Sequence, residues 1–306
     1  RGAAAYLDIA GVIAAARTTG ADSVHPGYGF LSENAAFATA CAEAGIVFVG
    51  PTVDQLALFG DKARARGHAE ACKVPVLPGT GIVDLAGATA FFRQHAKSGM
   101  AIKAIAGGGG RGMRRITAES ELADAFARAA AEARSAIAAL GERECTLQRR
   151  SQKIVELAPS PNLAPALRQK IVDAAITMAA AAGYRSLGTF EFLVEGGEFF
   201  FIEANPRLQV EHTVTEEVWG VDLVKTQLLL AGGASLADTG VLDARPHGHA
   251  IQLRINMETM MPDGSARPGG GTLTAFEPPS GRGVRVDTYG YAGYRTNPNF
   301  DSLLAK

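Results

Sequence analysis

Two glutamates sit among bulky apolar residues in Gly188-Thr-Phe-Glu191-Phe-Leu-Val-Glu-Gly196-Gly-Glu-Phe-Phe-Phe-Ile-Glu203-Ala-Asn205, and this stretch restricts the fold more than any other. The pattern predicts a hairpin turned at Gly196-Gly197, and an uncompensated carboxylate among its apolar residues is expensive. Register decides whether the two glutamates meet. A strict two-residue turn sets Glu191 opposite Ile202 and sends the carboxylates to opposite faces. A three-residue turn with a glycine bulge sets Glu191 directly opposite Glu203, and this register is expected. Facing carboxylates repel unless a cation lies between them, and an all-oxygen pair that also accepts phosphate oxygens suits Mg²⁺. Asn205, on the same face, adds a neutral oxygen. Taken alone, the pattern also fits surface glutamates on an edge hairpin.

A phosphate ligand must be held locally, because 30 Lys plus Arg against 31 Asp plus Glu leave no general attraction for a polyanion such as DNA or an acidic membrane. One local device is Gly107-Gly-Gly-Gly110-Arg-Gly112, where glycines without side chains let amide N–H groups converge on phosphate oxygens. Met113 to Ile116 looks extended, so the loop is expected to join two strands as a flap rather than open a helix. Lys103, in the strand feeding it, brings an ammonium to the same place. A mobile surface loop with a solvated lysine is the alternative. Arg207, Gln209 and Glu211 alternate, so an extended backbone projects all three from one face, able to hold a small planar anion and take a proton from it. An exposed strand explains the same spacing. His212 points away and reads as structural, and the basic run Arg149, Arg150 and Lys153 taken alone reads as a solvated face.

Around these motifs, helical periodicity alternates with short apolar strands from Leu7 to Val49, which indicates a layered α/β unit with a parallel sheet. A helix over Lys62–Cys72 leads to a Pro/Gly-rich joint, Val74–Gly81. A long amphipathic helix capped by Thr117 runs through Leu140; further helices are expected over Pro165–Ala182 and about Asp222–Ala231, with short strands and turns to Lys306. The expected division is 1–76, 77–141 and 142–306. Cys41, Cys72 and Cys145 are too scattered for a disulfide framework or a zinc site and fit a reducing, cytoplasmic setting. No apolar run reaches the roughly 20 residues of a bilayer crossing. The chain opens at Arg1 without an initiating Met or a signal peptide, and reads as a piece of a longer polypeptide.

Together the motifs closely resemble the biotin carboxylase component of biotin-dependent carboxylases. The stretches that carry the likeness are His25-Pro-Gly-Tyr-Gly-Phe-Leu-Ser-Glu-Asn34, Gly60-Asp-Lys62, Lys103 with its glycine loop, Gln148-Arg-Arg-Ser-Gln-Lys153, Gly188-Thr-Phe-Glu-Phe192, Glu203-Ala-Asn-Pro-Arg-Leu-Gln-Val-Glu-His212 and Gly283-Val-Arg285-Val-Asp287, in family order. The resemblance implies the ATP-grasp fold: a partial N-terminal doubly wound α/β domain, a small glycine-loop lid domain and a C-terminal domain with antiparallel sheet. It implies that ATP and bicarbonate give carboxyphosphate, whose CO₂ passes to N1 of biotin on a carrier domain. Lys62, Lys103, Gly107, Gly108, Gly109, Gly110 and Gly112 would bind ATP phosphates, and Glu191, Glu203 and Asn205 would hold Mg²⁺ or Mn²⁺. Arg207, Gln209, the Val210 backbone and Lys153 would hold bicarbonate, Glu211 would be the base, and Arg285 would stabilise the enolate of the biotin ureido group.

The implied partners are a biotin carboxyl carrier domain and a carboxyltransferase on the same polypeptide, in a homo-oligomer, with no nucleic acid or membrane. Asp263 to Phe276 and Asp287-Thr-Tyr-Gly-Tyr291 look most like single-chain acyl-CoA carboxylases, including the bacterial long-chain type. The sequence departs from the family in three ways. Gly141 runs straight into Glu142, where the family has a strand pair with an adenine-hinge carboxylate and an Arg-His-x-Glu-x-Gln motif; either these residues are deleted, or they are left out of this sequence and the numbering has closed over them, and the second reading is favoured because deletion would remove the hinge and part of the ribose and adenine site. Ser151 stands where many members have histidine, and the first strands of the N-terminal domain and the end of the C-terminal domain are missing. The rivals are another ATP-grasp ligase that activates bicarbonate, of the carbamoyl-phosphate synthetase kind, and a non-catalytic ATP-binding scaffold.

Overall fold

The computed structural model describes residues 2–76, 137–149, 152–263 and 265–306, together with the backbone of 100–103 and 113–116. The glycine loop and most of the expected lid helix lie outside the described residues.

The N-terminal unit is built as its periodicity predicts. Helix Ile9–Thr19 starts at Asp8, whose carboxylate accepts from the Gly11 amide at 3.0 Å, and helix Ala35–Glu43 starts at Asn34 in the same manner. Between them runs Ser23–Val24, which pairs in parallel with Val47–Phe48, the strand after the second helix. This is the expected parallel α/β arrangement. Its core gathers Ala16, Leu31, Phe37, Cys41 and Ile46.

Helices Val53–Phe59 and Lys62–Ala71 follow, one opened by a Thr52/Gln55 capping box and the other by Asp61. They do not pack only with the unit that precedes them. Phe59, Ala65 and Ala69 share a core with Ile171, Ala174 and Met178 of helix Pro165–Ala181, and with Phe199, Phe201 and Ala204 of the hairpin. Edge-to-face contacts of Phe59 with Tyr184 and Phe190 tie the three together. Lys62 is thus anchored on the same core as Glu191 and Glu203.

Met100–Lys103 and Met113–Ile116 pair antiparallel, Lys103 opposite Met113, so the glycine-containing segment connects two paired strands. In the C-terminal region Val155–Ala158 pairs antiparallel with Ala250–Leu253, and Ile255–Asn256 with Leu303–Ala305. Two expectations are corrected. Residues 137–140 are not helical; the chain turns at Gly141 (φ 70°) and reaches an isolated bridge from Glu144 to Leu157. The polar run does not stay extended to His212 but enters helix His212–Trp219, whose Val214 and Val218 pack on Ala158. Alternation of polar residues had hidden that four-residue apolar spacing. Among the described residues no helix is long and apolar enough to cross a membrane.

Candidate active site

The hairpin pairs strand Thr189–Glu195 with strand Glu198–Asn205, and Glu191 lies directly opposite Glu203. The pairing is the expected one; its cause is not. Glu195 pairs with Glu198, so the turn is a two-residue one, with Gly196 at φ 58° and Gly197 at φ 86° as a twisted hairpin turn requires. The extra residue is Ile202, squeezed between the Phe192–Phe201 and Glu191–Glu203 pairs. A bulge there reverses the alternation of the strand. Phe199 and Phe201 face the core, Ile202 and Glu203 both miss it, and Ala204 returns to it opposite Phe190. Without the bulge Glu203 would fall opposite Phe190, on the apolar face.

Lysine neutralises each carboxylate. Lys153 Nζ lies 2.6 Å from Glu191 Oε1, and Lys62 Nζ lies 2.8 Å from Glu203 Oε2. The hydrogen bond from Lys62 holds the Glu203 carboxyl below the ordinary glutamate range, against burial, which pushes it up. Burial alone would lower the pKa of Lys153, but the hydrogen bond and charge of Glu191 outweigh it, and the ammonium is kept protonated. Glu191 Oε1 also accepts from Asn205 Nδ2 at 3.0 Å and from Gln209 Nε2 at 3.3 Å. Lys153 therefore belongs to the site, whereas its neighbour Arg149 pairs with Glu258.

Residues 206–211 form a bend, with a turn at Val210 and Glu211, rather than a strand, so the three alternating side chains are placed individually. Arg207 donates from Nη2 to Asn205 Oδ1 at 2.8 Å and from Nε to Glu33. Gln209 is buried, with its amide between Glu191 and Arg143. The Val210 carbonyl accepts from Lys306 Nζ at 2.8 Å, while its N–H has no partner among the described residues. Glu211 is 6% exposed, and its carboxylate accepts no hydrogen bond from the described residues. Its charge nevertheless reaches Lys153, Lys306 and Glu156. His212 is structural as expected: it is buried, with Nδ1 at 2.8 Å from the Gln209 carbonyl.

Arg285 packs against helix His212–Trp219. It holds Asp287 with two bonds, at 2.8 and 3.1 Å, and reaches Glu216 at 2.8 Å and Glu217 at 3.2 Å. The hydrogen bonds it donates to these carboxylates, to Asp287 foremost, hold it protonated more firmly than an ordinary arginine.

An oxygen-favouring divalent ion fits the facing glutamates in donor chemistry. Among the described residues the hydrogen bonds of Glu191 fall on Oε1, and Lys62 engages Oε2 of Glu203. Asn205 fits less well, because its carbonyl oxygen faces Arg207 and its amide N–H faces Glu191. Lys103, Gly107, Gly108, Gly109, Gly110 and Gly112 contribute no side-chain geometry, since the glycines and the Lys103 side chain lie outside the described residues.

Sequence reasoning missed four residues around the site: Glu33, Arg143, Glu156 and Lys306. Glu33 lies inside a quoted motif, and the alternation of Val155-Glu-Leu-Ala158 already put Glu156 on the same strand face as Ala158. Arg143 and Lys306 left no such signal. Lys153, Glu191, Gln209, Arg143 and Glu156 line a cavity of about 1280 Å³ that continues to Gly141 and Glu142 and past Phe48 and Leu223.

Comparison with known proteins adds three family models. Biotin carboxylase, N-terminal domain, matches residues 1–56; carbamoyl-phosphate synthase L chain, ATP binding domain, matches 61–140 and 134–239; biotin carboxylase C-terminal domain matches 252–306. A pyruvate carboxylase of Staphylococcus aureus is 44% identical over 340 residues, covering 99% of this chain and 29% of its own length. The chain thus spans about three tenths of that relative. Because the alignment runs to 340 residues and the chain has 306, at least 34 aligned positions have no counterpart here. A single-chain, multi-domain long-chain acyl-CoA carboxylase superposes with a TM-score of 0.79 at 43% identity, covering 99% of this chain and 29% of that one. The biotin carboxylase domain dimer of Hydrogenobacter thermophilus 2-oxoglutarate carboxylase, solved with MgADP, ADP and bicarbonate, superposes at 0.74 and 38% identity, over 98% of this chain and 72% of that one.

Proposed function

This chain belongs to the biotin carboxylase family, with its N-terminal, ATP-binding and C-terminal domains, and from that premise we propose that it carboxylates biotin with ATP and bicarbonate. The observation that carries the proposal is the run Arg207–Glu211. It sets an arginine, an amide, an unpartnered N–H and a buried carboxylate that accepts no hydrogen bond among the described residues beside two lysine-neutralised glutamates.

Bicarbonate is a poor nucleophile until cationic partners hold it and a base takes its proton. In this reading Arg207, Gln209, the Val210 N–H and Lys153 hold it, and Glu211 accepts the proton as a bicarbonate oxygen attacks the γ-phosphorus of ATP. ADP leaves and carboxyphosphate forms. Lys62 and Lys103, with the glycine loop Gly107–Gly112, hold the phosphates, since phosphoryl transfer asks mainly for positioning and charge neutralisation. Glu191 and Glu203, with Asn205 beside them, would hold Mg²⁺ or Mn²⁺, which would add neutralisation of the phosphoryl charge. Carboxyphosphate then breaks down to CO₂ and inorganic phosphate; Glu211 passes the bicarbonate proton to that phosphate and takes the proton that biotin N1 gives up as N1 bonds CO₂, with Arg285 holding negative charge on the ureido oxygen. Arg285 must then exchange part of its contact with Asp287, Glu216 and Glu217 for biotin.

The same reading divides the chain into parts 1–76, 77–141 and 142–306. It makes the chain the first half-reaction of a cytoplasmic acyl-CoA carboxylase, a homo-oligomer with carrier and carboxyltransferase domains on one polypeptide. The Asp263–Phe276 segment and the likeness to the long-chain acyl-CoA carboxylase support this acceptor class over the keto-acids of the other relatives. Bicarbonate-dependent ATP cleavage that rises on adding free biotin tests the chemistry; no rise would favour another bicarbonate-activating ligase. Glu211→Gln is expected to remove carboxylation and leave nucleotide binding nearly intact. Carboxylation of pyruvate, and not of an acyl-CoA, by the full polypeptide would overturn the acceptor assignment.

A further inference from the structure

Arg143 stands behind the anion site. Its Nε donates to Glu156 Oε1 at 2.8 Å, its Nη1 donates to Thr215 Oγ1 at 3.3 Å, and its Nη2 donates to the Gln209 side-chain oxygen. Glu156 is 2% exposed, and its other oxygen, Oε2, has no hydrogen-bond partner among the described residues. A buried carboxylate with one oxygen committed to a guanidinium is a rigid anchor, and breaking it leaves an uncompensated group.

What the anchor holds is the orientation of an amide. A guanidinium has donors and no acceptor, and an ionised carboxylate has acceptors and no donor. The Gln209 side chain lies between one of each, with Oε1 toward Arg143 and Nε2 at 3.3 Å from Glu191 Oε1. Turned over, it would set N–H against N–H and oxygen against oxygen. The pair therefore permits one orientation. One Nε2 hydrogen serves Glu191 and the second remains for an acceptor in the cavity that Gln209, Lys153 and Glu191 line together.

We propose that Arg143, anchored by Glu156, is a positioning residue that fixes Gln209 as a hydrogen-bond donor toward bicarbonate. The inference rests on the reading of this site as bicarbonate-binding. Released from Arg143, the amide presents its carbonyl oxygen as readily as its N–H, and a carbonyl repels an anion.

Steady-state kinetics of the full polypeptide test this, with bicarbonate and ATP varied separately. Arg143→Met is expected to raise the KM for bicarbonate about 10-fold, the scale of one lost hydrogen bond to an anion, and the KM for ATP by no more than about 2-fold. Arg143→Lys, which keeps a donor at Gln209, should recover most of the loss. In a Gln209→Ala background Arg143→Met should add nothing, because the residue it acts through is gone. Where Arg143→Met misfolds, Arg143→Met combined with Glu156→Gln leaves no buried carboxylate unpaired and should show the same rise. An unchanged KM for bicarbonate, an equal rise for both substrates, or full additivity with Gln209→Ala would each overturn the inference. An unmodified polypeptide without bicarbonate-dependent ATP turnover would instead overturn the functional reading beneath it.

Discussion

Burial acts on Glu156 more strongly than its arginine does. Desolvation raises the carboxyl from an ordinary glutamate's 4.5 to about 7, although Arg143 and, more distantly, Lys153 pull it down. The folded chain therefore binds this proton more readily than the unfolded chain between those values. The stabilisation is complete below about pH 4.5, is lost as pH rises, and levels off above about pH 7 after a change of up to about 3 kcal/mol. Glu156→Gln removes the dependence. The Tm of the variant, relative to the parent, is expected to climb between about pH 5 and pH 8 by thermal unfolding; a constant difference would mean that Glu156 ionises as an exposed glutamate does. Glu191 was legible in sequence because a carboxylate among apolar residues demands a partner, whereas Lys153 taken alone read as part of a solvated face and came to the site only through the family resemblance. Glu156 was not legible, because an alternating strand shows which residues share a face and not which face is turned inward.

The hairpin shows what is legible at the scale of an element. Apolar residues around Gly196-Gly197 fixed that two strands pair and that the glutamates meet, yet a bulge at the turn and a bulge at Ile202 give the same meeting from different geometry. Core parity decides between them, since only the Ile202 bulge keeps Glu203 off the face where Phe201 and Ala204 pack. The turn then carries a separate requirement. Gly196 has φ 58°, and an added Cβ there meets open space, so substitution costs backbone conformation alone. Gly196→Ala is expected to lower unfolding free energy by about 1 kcal/mol, and Gly196→Asn by clearly less, because asparagine tolerates the left-handed region. Urea unfolding compares them; equal costs would show that the turn opens in the variants rather than straining.

At the scale of the whole molecule, one contact joins the beginning of the chain to its chemistry. Glu33, inside the His25–Asn34 motif, receives the guanidinium of Arg207 across 174 residues of sequence, a tie that no local pattern could foretell. At least 34 aligned positions of a pyruvate carboxylase relative are missing here, and the ATP-binding family model matches in two pieces, one ending at residue 140 and the other resuming from 134. The first of these limits falls beside Gly141-Glu142, which border the cavity, and among the other residues lining it Leu193, Val194 and Ile202 are apolar yet 47%, 43% and 51% exposed. By family resemblance the missing strands carry the adenine hinge, so on the function proposed above what remains would hold phosphates through Lys62 and the glycine loop and would have little with which to read a base. A site that hydrogen-bonds a base edge rejects the wrong base strongly, whereas charge on phosphates does not discriminate. The chain as it stands is therefore expected to bind ATP and GTP within about 10-fold of each other. Inserting a relative's intervening segment between Gly141 and Glu142 should raise ATP affinity by at least about 10-fold and leave GTP nearly unchanged. Calorimetric titration with both nucleotides measures this, and equal gains for the two would show that the segment acts by closing the cavity rather than by recognising adenine.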